Sequence, residues 1–183
     1  MRKIVLFIAV SLDGYIADRQ GGVEWLETEM AEQSGEASGE GEDAYSEFIK
    51  NADTVLMGWN TYHQIVTELS PDEWVYQGLT SYVITHRELK PDENAIFTDI
   101  DPCALVKELK KQQGKDIWIC GGANLVRQLV RADLIDEYNL SIIPVLLGSG
   151  IRLFGSETDK ISLRLTHSHI RGQLAQLVYK RKP

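Results

Sequence analysis

Cysteine is scarce in this chain: its 183 residues include two, Cys103 and Cys120. Neither belongs to a CxxC pair or a Cys/His cluster, so no disulfide framework and no zinc site is indicated, and both read as reduced cytoplasmic thiols. Basic charge is also in deficit. The 19 Lys and Arg face 27 Asp and Glu, a formal net charge of −8. Counterion release needs a clustered basic surface, so nucleic acid and anionic membrane are disfavoured as partners. An anionic small molecule remains compatible, because a few local donors and helix N-termini decide such binding. The apolar run Ile4 to Val10 is too short for a membrane span, and Asp13 soon follows it. No clear signal-peptide core or cleavage site accompanies it.

What is present fits an ordinary globular domain: 43% hydrophobic and 25% charged residues, over a length that suits a single domain, 1–183. Ile4 to Val10 is rich in branched residues and reads as a strand covered on both faces. Further strands are expected at Thr54–Met57, Ser81–Thr85, Asp116–Cys120 and Leu134–Val145, with a short one at Ala95–Phe97. Ser162–Ile170 and Gln173–Arg181, joined by Arg171-Gly172, predict an antiparallel hairpin. Helices are expected from about Asn60, from Asp101-Pro102 to about Gln113 with Gly114 as its stop, and from Ala123 to Arg131. Residues 27–43 are acidic and carry no apolar period; they read as a mobile loop that would border an active-site mouth as a lid. The order predicts an α/β protein with a twisted, mostly parallel central sheet, an antiparallel C-terminal hairpin and helices on both faces.

Three strand ends carry phosphate-compatible chemistry. Cys120-Gly121-Gly122-Ala123-Asn124-Leu125 runs from a strand through two glycines into a helix start, where free amides and a partial positive charge suit a phosphate. The same residues also make a plain tight turn. Met57-Gly58-Trp59-Asn60-Thr61 repeats the design, with Asn60 or Thr61 as helix cap or phosphate contact. Thr85-His86-Arg87 ends a third strand in donors. Ligands gather at the carboxyl ends of strands in open α/β sheets, so three such ends favour a nucleotide site. Asp13 follows the first strand directly and is a candidate catalytic or substrate-binding carboxylate, although Asp-Gly is also a common turn. Trp25 would stack on a planar substrate or anchor its loop. Leu147 and Gly148 would close over the substrate or form an ordinary loop. His167 and His169 share a strand face without an evident third ligand, which is an ordinary surface pattern.

These residues bring out a resemblance to the dihydrofolate reductase-like superfamily, in the branch of the bacterial riboflavin-biosynthesis reductase domain. It rests on Ser11-Leu12-Asp13-Gly14-Tyr15-Ile16-Ala17, on Met57-Gly58-Trp59-Asn60-Thr61-Tyr62, on Gly121-Gly122-Ala123, and on Asp136-Glu137 with Pro144-Val145-Leu146-Leu147-Gly148-Ser149-Gly150 and Leu153-Phe154. The resemblance implies a three-layer fold, a homodimer and NADPH as hydride donor to a pteridine or ribosylaminopyrimidine-type substrate. It implies that Ala9, Ile16 and Ala17 line the nicotinamide end, and that Gly58, Asn60 and Thr61 hold phosphate. Thr85, His86 and Arg87 would surround the adenosine and its 2′-phosphate, and Gly121 to Leu125 the pyrophosphate, with a cis bond between the two glycines. Aligning Phe48 with the phenylalanine of true dihydrofolate reductases places their buried acid near Asp43 or Ala44, which makes Asp43 a second candidate catalytic carboxylate. The alternative is a non-catalytic module that keeps the nucleotide cleft.

Overall fold

The structure is a computed structural model and describes residues 1–26, 44–156 and 159–182. The 27–43 stretch, including Asp43, lies outside the described residues. Strands β1 (Ile4–Ser11), β3 (Ala52–Gly58), β4 (Thr80–Ile84), β5 (Ile96–Thr98), β6 (Asp116–Gly121), β7 (Glu137–Ile143), β9 (Leu163–Arg171) and β10 (Leu174–Arg181) form one sheet in the order β5-β4-β3-β6-β1-β7-β10-β9. The first six are parallel; β10 pairs antiparallel with β7 and with β9. β1 lies between β6 and β7, which explains its apolar run: Ile4, Val5 and Leu6 are buried.

Side-chain alternation along the strands divides the core between two faces. On one face, helices α3 (Pro102–Lys111) and α4 (Ala123–Arg131) bury Leu105, Val106, Leu109, Leu125, Val126 and Leu129 against Ile4, Leu6, Ile117 and Ile119. On the other, α1 (Ala44–Lys50) and α2 (Trp59–Gln64), which continues as a π-helical turn at Ile65–Leu69, cover Val55, Met57, Val83 and Trp118. The result is the three-layer α/β arrangement.

Local signals placed most elements, with three corrections. Asp101 does cap α3, its side chain accepting the Ala104 N–H at 2.8 Å, but the helix stops at Lys111 because Gln112 turns extended. Gly114 serves packing rather than the helix end: at φ +155°, a Cβ there would stand 2.5 Å from an Asp53 carboxylate oxygen. Neither Asn60 nor Thr61 caps α2, whose N-cap is Gly58 with no side-chain hydrogen bond. A two-stranded sheet of β2 (Tyr15–Ala17) and β8 (Ile151–Arg152) was not signalled, since two- and three-residue strands show no readable period.

Candidate cofactor and substrate cleft

β1, β3, β4 and β6 release the chain at one edge of the sheet, through Ser11, Gly58, Ile84 and Gly121. Gly58 is in register with Ile84, and its neighbour Met57 with Gly121. At this edge the sheet opens. β1 pairs with β6 only as far as Leu6 and Ile119, yet stays paired with β7 through Ser11 and Ile143. The Lys3 carbonyl points to β6, accepting from Ile117 N–H, and the Ile4 carbonyl points to the β7 side, accepting from Asp136 N–H. This alternation turns the backbone groups of Phe7 and Ala9 towards β6. The Phe7 carbonyl is taken by the Trp118 indole N–H at 2.9 Å. Ala9 therefore presents one N–H and one C=O to the gap beyond the last register pair.

Two helix starts meet beside that gap. The N-caps of α2 and α4 are Gly58 and Gly122, and neither receives a side-chain capping bond. In α4 the first intrahelical donor is Val126, to Gly122 at 3.2 Å, so the amides of Ala123, Asn124 and Leu125 have no helical acceptor. A Cβ on Gly122 would lie 3.4 Å from Thr61 Oγ1, and one on Gly58 would lie 3.9 Å from the Gly122 nitrogen. Gly121 sits at φ +133°, and the Gly121–Gly122 peptide is cis, as the resemblance implied. The Ala123 and Leu125 side chains are buried in the core, so only their amides are available to a ligand; Asn60 and Asn124 are exposed. At the third strand end Thr85 is buried. Its N–H donates to the Thr98 carbonyl at 2.8 Å and its hydroxyl accepts the Arg87 N–H at 3.1 Å, so Thr85 shapes the turn while exposed His86 and Arg87 remain for contact.

The substrate side differs from expectation. Asp13 accepts from the Ser11 hydroxyl at 2.6 Å, from Leu147 N–H at 3.2 Å and from Gly148 N–H at 2.7 Å. The Ser11 bond, helped by the Gly148 and Leu147 amides, holds its carboxyl below the ordinary value against a desolvation that pushes it up. A carboxyl held ionised is a poor proton donor at neutral pH. The geometry makes Asp13 a brace, and Leu147 and Gly148 its partners through their backbone. Because the folded pKa is depressed, the stabilising effect is present above the ordinary carboxylate range, about 4, and fades as pH falls through the lowered value. Asp13→Asn should therefore lower Tm at pH 7, and the gap from the parent should narrow below about pH 4; a gap that does not change with pH would remove the carboxylate from this role.

Asp18 is similarly engaged, accepting Gln20 N–H at 2.7 Å and Gly22 N–H at 2.8 Å. Trp25 is half-buried, and its indole N–H has no hydrogen-bond partner among the described residues. Flanking residues moor the loop that follows β2: Arg19 donates to Ser149 Oγ at 2.8 Å and Gln64 to the Gly21 carbonyl at 3.1 Å. An aromatic wall below the gap has no local signal in the sequence. Phe7 stacks on Phe48 at 4.6 Å, with Tyr45 and Trp118 edge-on to Phe7. Tyr76 Oη lies 3.3 Å from Cys120 Sγ. Burial pushes the Cys120 thiol up to about 11 and drives the Tyr76 phenol far above its usual value, so both stay protonated at neutral pH. Alternation along β1 put Phe7 on this face, but only the tertiary fold brought Phe48 and Tyr76 to it. Among the described residues no group of three His, Cys, Asp or Glu is placed to hold a metal, and no helix is long and apolar enough to cross a membrane.

Residues 2–177 match the sequence profile of the RibD C-terminal domain. The uncharacterized protein YwjB of Bacillus subtilis (strain 168) is 42% identical over 183 residues, covering 98% of each chain. The uncharacterized protein YyaP of the same organism is 32% identical, over 97% of this chain and 94% of its own. Among solved structures, a Shewanella sp. PV-4 protein provisionally described as a riboflavin biosynthesis protein aligns over 99% of both chains, with a TM-score of 0.78 and 26% identity.

Proposed function

We propose that this chain, which belongs to the RibD C-terminal domain family, is an NADPH-dependent reductase of a small planar heterocycle, a pteridine or a ribosylaminopyrimidine. One observation carries the reading: the opened β1–β6 gap and the two glycine-capped helix starts share a single sheet edge. The residues present fit such a cofactor along its length. A carboxamide needs one donor and one acceptor, and Ala9 offers both; the resemblance adds Ile16 and the buried Ala17 beside it. The amides at 123–125, with Gly58 and Thr61 opposite, suit a pyrophosphate, because glycine leaves no Cβ between the backbone and the anion. Arg87 and His86 suit the adenosine end with its 2′-phosphate.

NADPH, when bound, supplies the hydride. The chain's own work is to position both partners and exclude water. The Phe7, Phe48 and Tyr45 rings give a planar substrate an apolar face to lie against. A second reading has a specific observation behind it. The first carboxylates after β1 and β2, Asp13 and Asp18, are both spent on backbone amides, so a nucleotide-binding module without turnover is the alternative. The experiment is NADPH titration by calorimetry, followed by NADPH oxidation assays with dihydrofolate, dihydropteridine and ribosylaminopyrimidine substrates. Binding with turnover of one substrate supports the reductase. Tight binding with no turnover supports the module, and failure to bind NADPH sinks both.

A further inference from the structure

Trp59 stands at the first position of α2, directly after Gly58, half-buried on the same sheet edge as the β4 turn. Its ring is fixed from several sides. Phe97 of β5 lies 6.4 Å away between centroids, Tyr62 5.7 Å and His63 5.4 Å. Tyr62 is itself buried and bonded to Asp92 at 3.0 Å. The platform is therefore rigid.

Over it lies the Arg87 guanidinium, with Cζ 5.2 Å from the ring centroid. The backbone on both sides of this contact is set. Gly58 and Ile84 are register partners, so the residue after one and the turn after the other emerge together. Thr85 then fixes that turn through the Arg87 N–H. Among the described residues no carboxylate pairs with Arg87. Contact with an aromatic face consumes no N–H donor, because a guanidinium's five donors lie in its own plane. Arg87 is thus held in place with its hydrogen-bonding capacity unspent, at the outer end of a cleft that has two helix starts for phosphate further in.

We propose that Trp59 is a positioning residue for cofactor specificity: it holds Arg87 ready for a phosphomonoester dianion on the adenosine ribose. This rests on the reading of the cleft as an NADPH site, and the test separates the two. The probes are adenosine 2′,5′-bisphosphate and adenosine 5′-monophosphate, titrated calorimetrically. Trp59→Leu should weaken the bisphosphate by about fivefold, the order of a cation–π contact at an exposed site, while the monophosphate changes by less than about twofold. Trp59→Phe, which keeps an aromatic face, should restore most of the loss. Arg87→Ala should abolish the preference for the bisphosphate, and adding Trp59→Leu to it should cost nothing more, because the two act as one unit. Equal losses for both nucleotides in Trp59→Leu, or additive losses in the double variant, would overturn the assignment. Should Trp59→Leu not fold, Trp59→Met carries the test: a preference for the bisphosphate reduced from the parent's towards that of Arg87→Ala supports the proposal, and one equal to the parent's overturns it. A parent protein that binds NADPH but shows no preference for the 2′-phosphate sinks this proposal alone; one that binds neither NADPH nor the bisphosphate sinks the cofactor reading with it.

Discussion

Gly122→Ala should fold like the parent and bind NADPH about 10- to 100-fold more weakly, the loss expected when one or two hydrogen bonds to a charged phosphate are displaced. The backbone permits the change, because Gly122 has φ −80° and ψ −166°, an extended conformation open to any residue. The space permits it as well: the added Cβ would touch Thr61 Oγ1 at 3.4 Å, an ordinary contact. That methyl group would, however, stand between the two helix starts, where the anion is expected. Gly121→Ala is the less informative change. Its φ of +133° penalises any side chain, by roughly 1–3 kcal/mol, so lost binding there would be mixed with lost stability. Calorimetry beside a melting curve decides the matter. An unaltered affinity in a folded Gly122→Ala protein would place the phosphates elsewhere.

Arg2→Ala should give the largest loss of stability, about 2–4 kcal/mol, from removing a buried guanidinium paired to a part-exposed carboxylate and stranding its carbonyl and hydroxyl acceptors. Arg2 is 5% exposed. It donates to the carbonyls of Lys115 at 2.7 Å and Leu109 at 3.3 Å, to Thr54 Oγ1 at 2.6 Å, and to the Asp53 carboxylate. For a chain of this length the corresponding fall in Tm is roughly 5–15 °C. Burial works against the charge on Asp53, yet the Lys115 amide, the Thr54 hydroxyl and Arg2 together hold its carboxyl below the ordinary value. The sign follows: Asp53 stabilises the fold above the usual carboxylate range and loses that effect as pH falls through its lowered pKa. The difference between parent and Arg2→Ala should thus be greatest near neutral pH and shrink under acid. Chemical denaturation at pH 7 and pH 3.5 measures it, and a loss below about 1 kcal/mol at pH 7 would show that Arg2 is dispensable.

Much of the glycine-rich sheet edge is legible in neighbouring residues. Gly121-Gly122 before Ala123 announces a strand-to-helix turn with open amides, and that is what β6 and α4 make. Asp101-Pro102 announces a capped helix, and the apolar Ile4 to Val10 a strand with neighbours on both sides. These signals are local: each depends on a cap, a glycine or a side-chain period within a few residues. The surroundings of Asp13, Trp59 and Arg2 are less legible for the opposite reason. Asp13 stood open between a substrate contact and an Asp-Gly turn because its partners Leu147 and Gly148 lie 134 and 135 positions along the chain. Trp59 and Arg87 gave no hint of each other in sequence, and Arg2 lies 51 positions from Asp53. Such contacts depend on strand order. β3 lies between β4 and β6, and β1 between β6 and β7, an arrangement that follows from burying both sheet faces under helices rather than from any local period. The residues dictated the turns, caps and strands, and with them two glycine-capped helix starts. Only the assembled sheet decided that Asp13 would brace a loop, that β1 would part from β6 beside Ala9, and that an arginine would come to rest over Trp59.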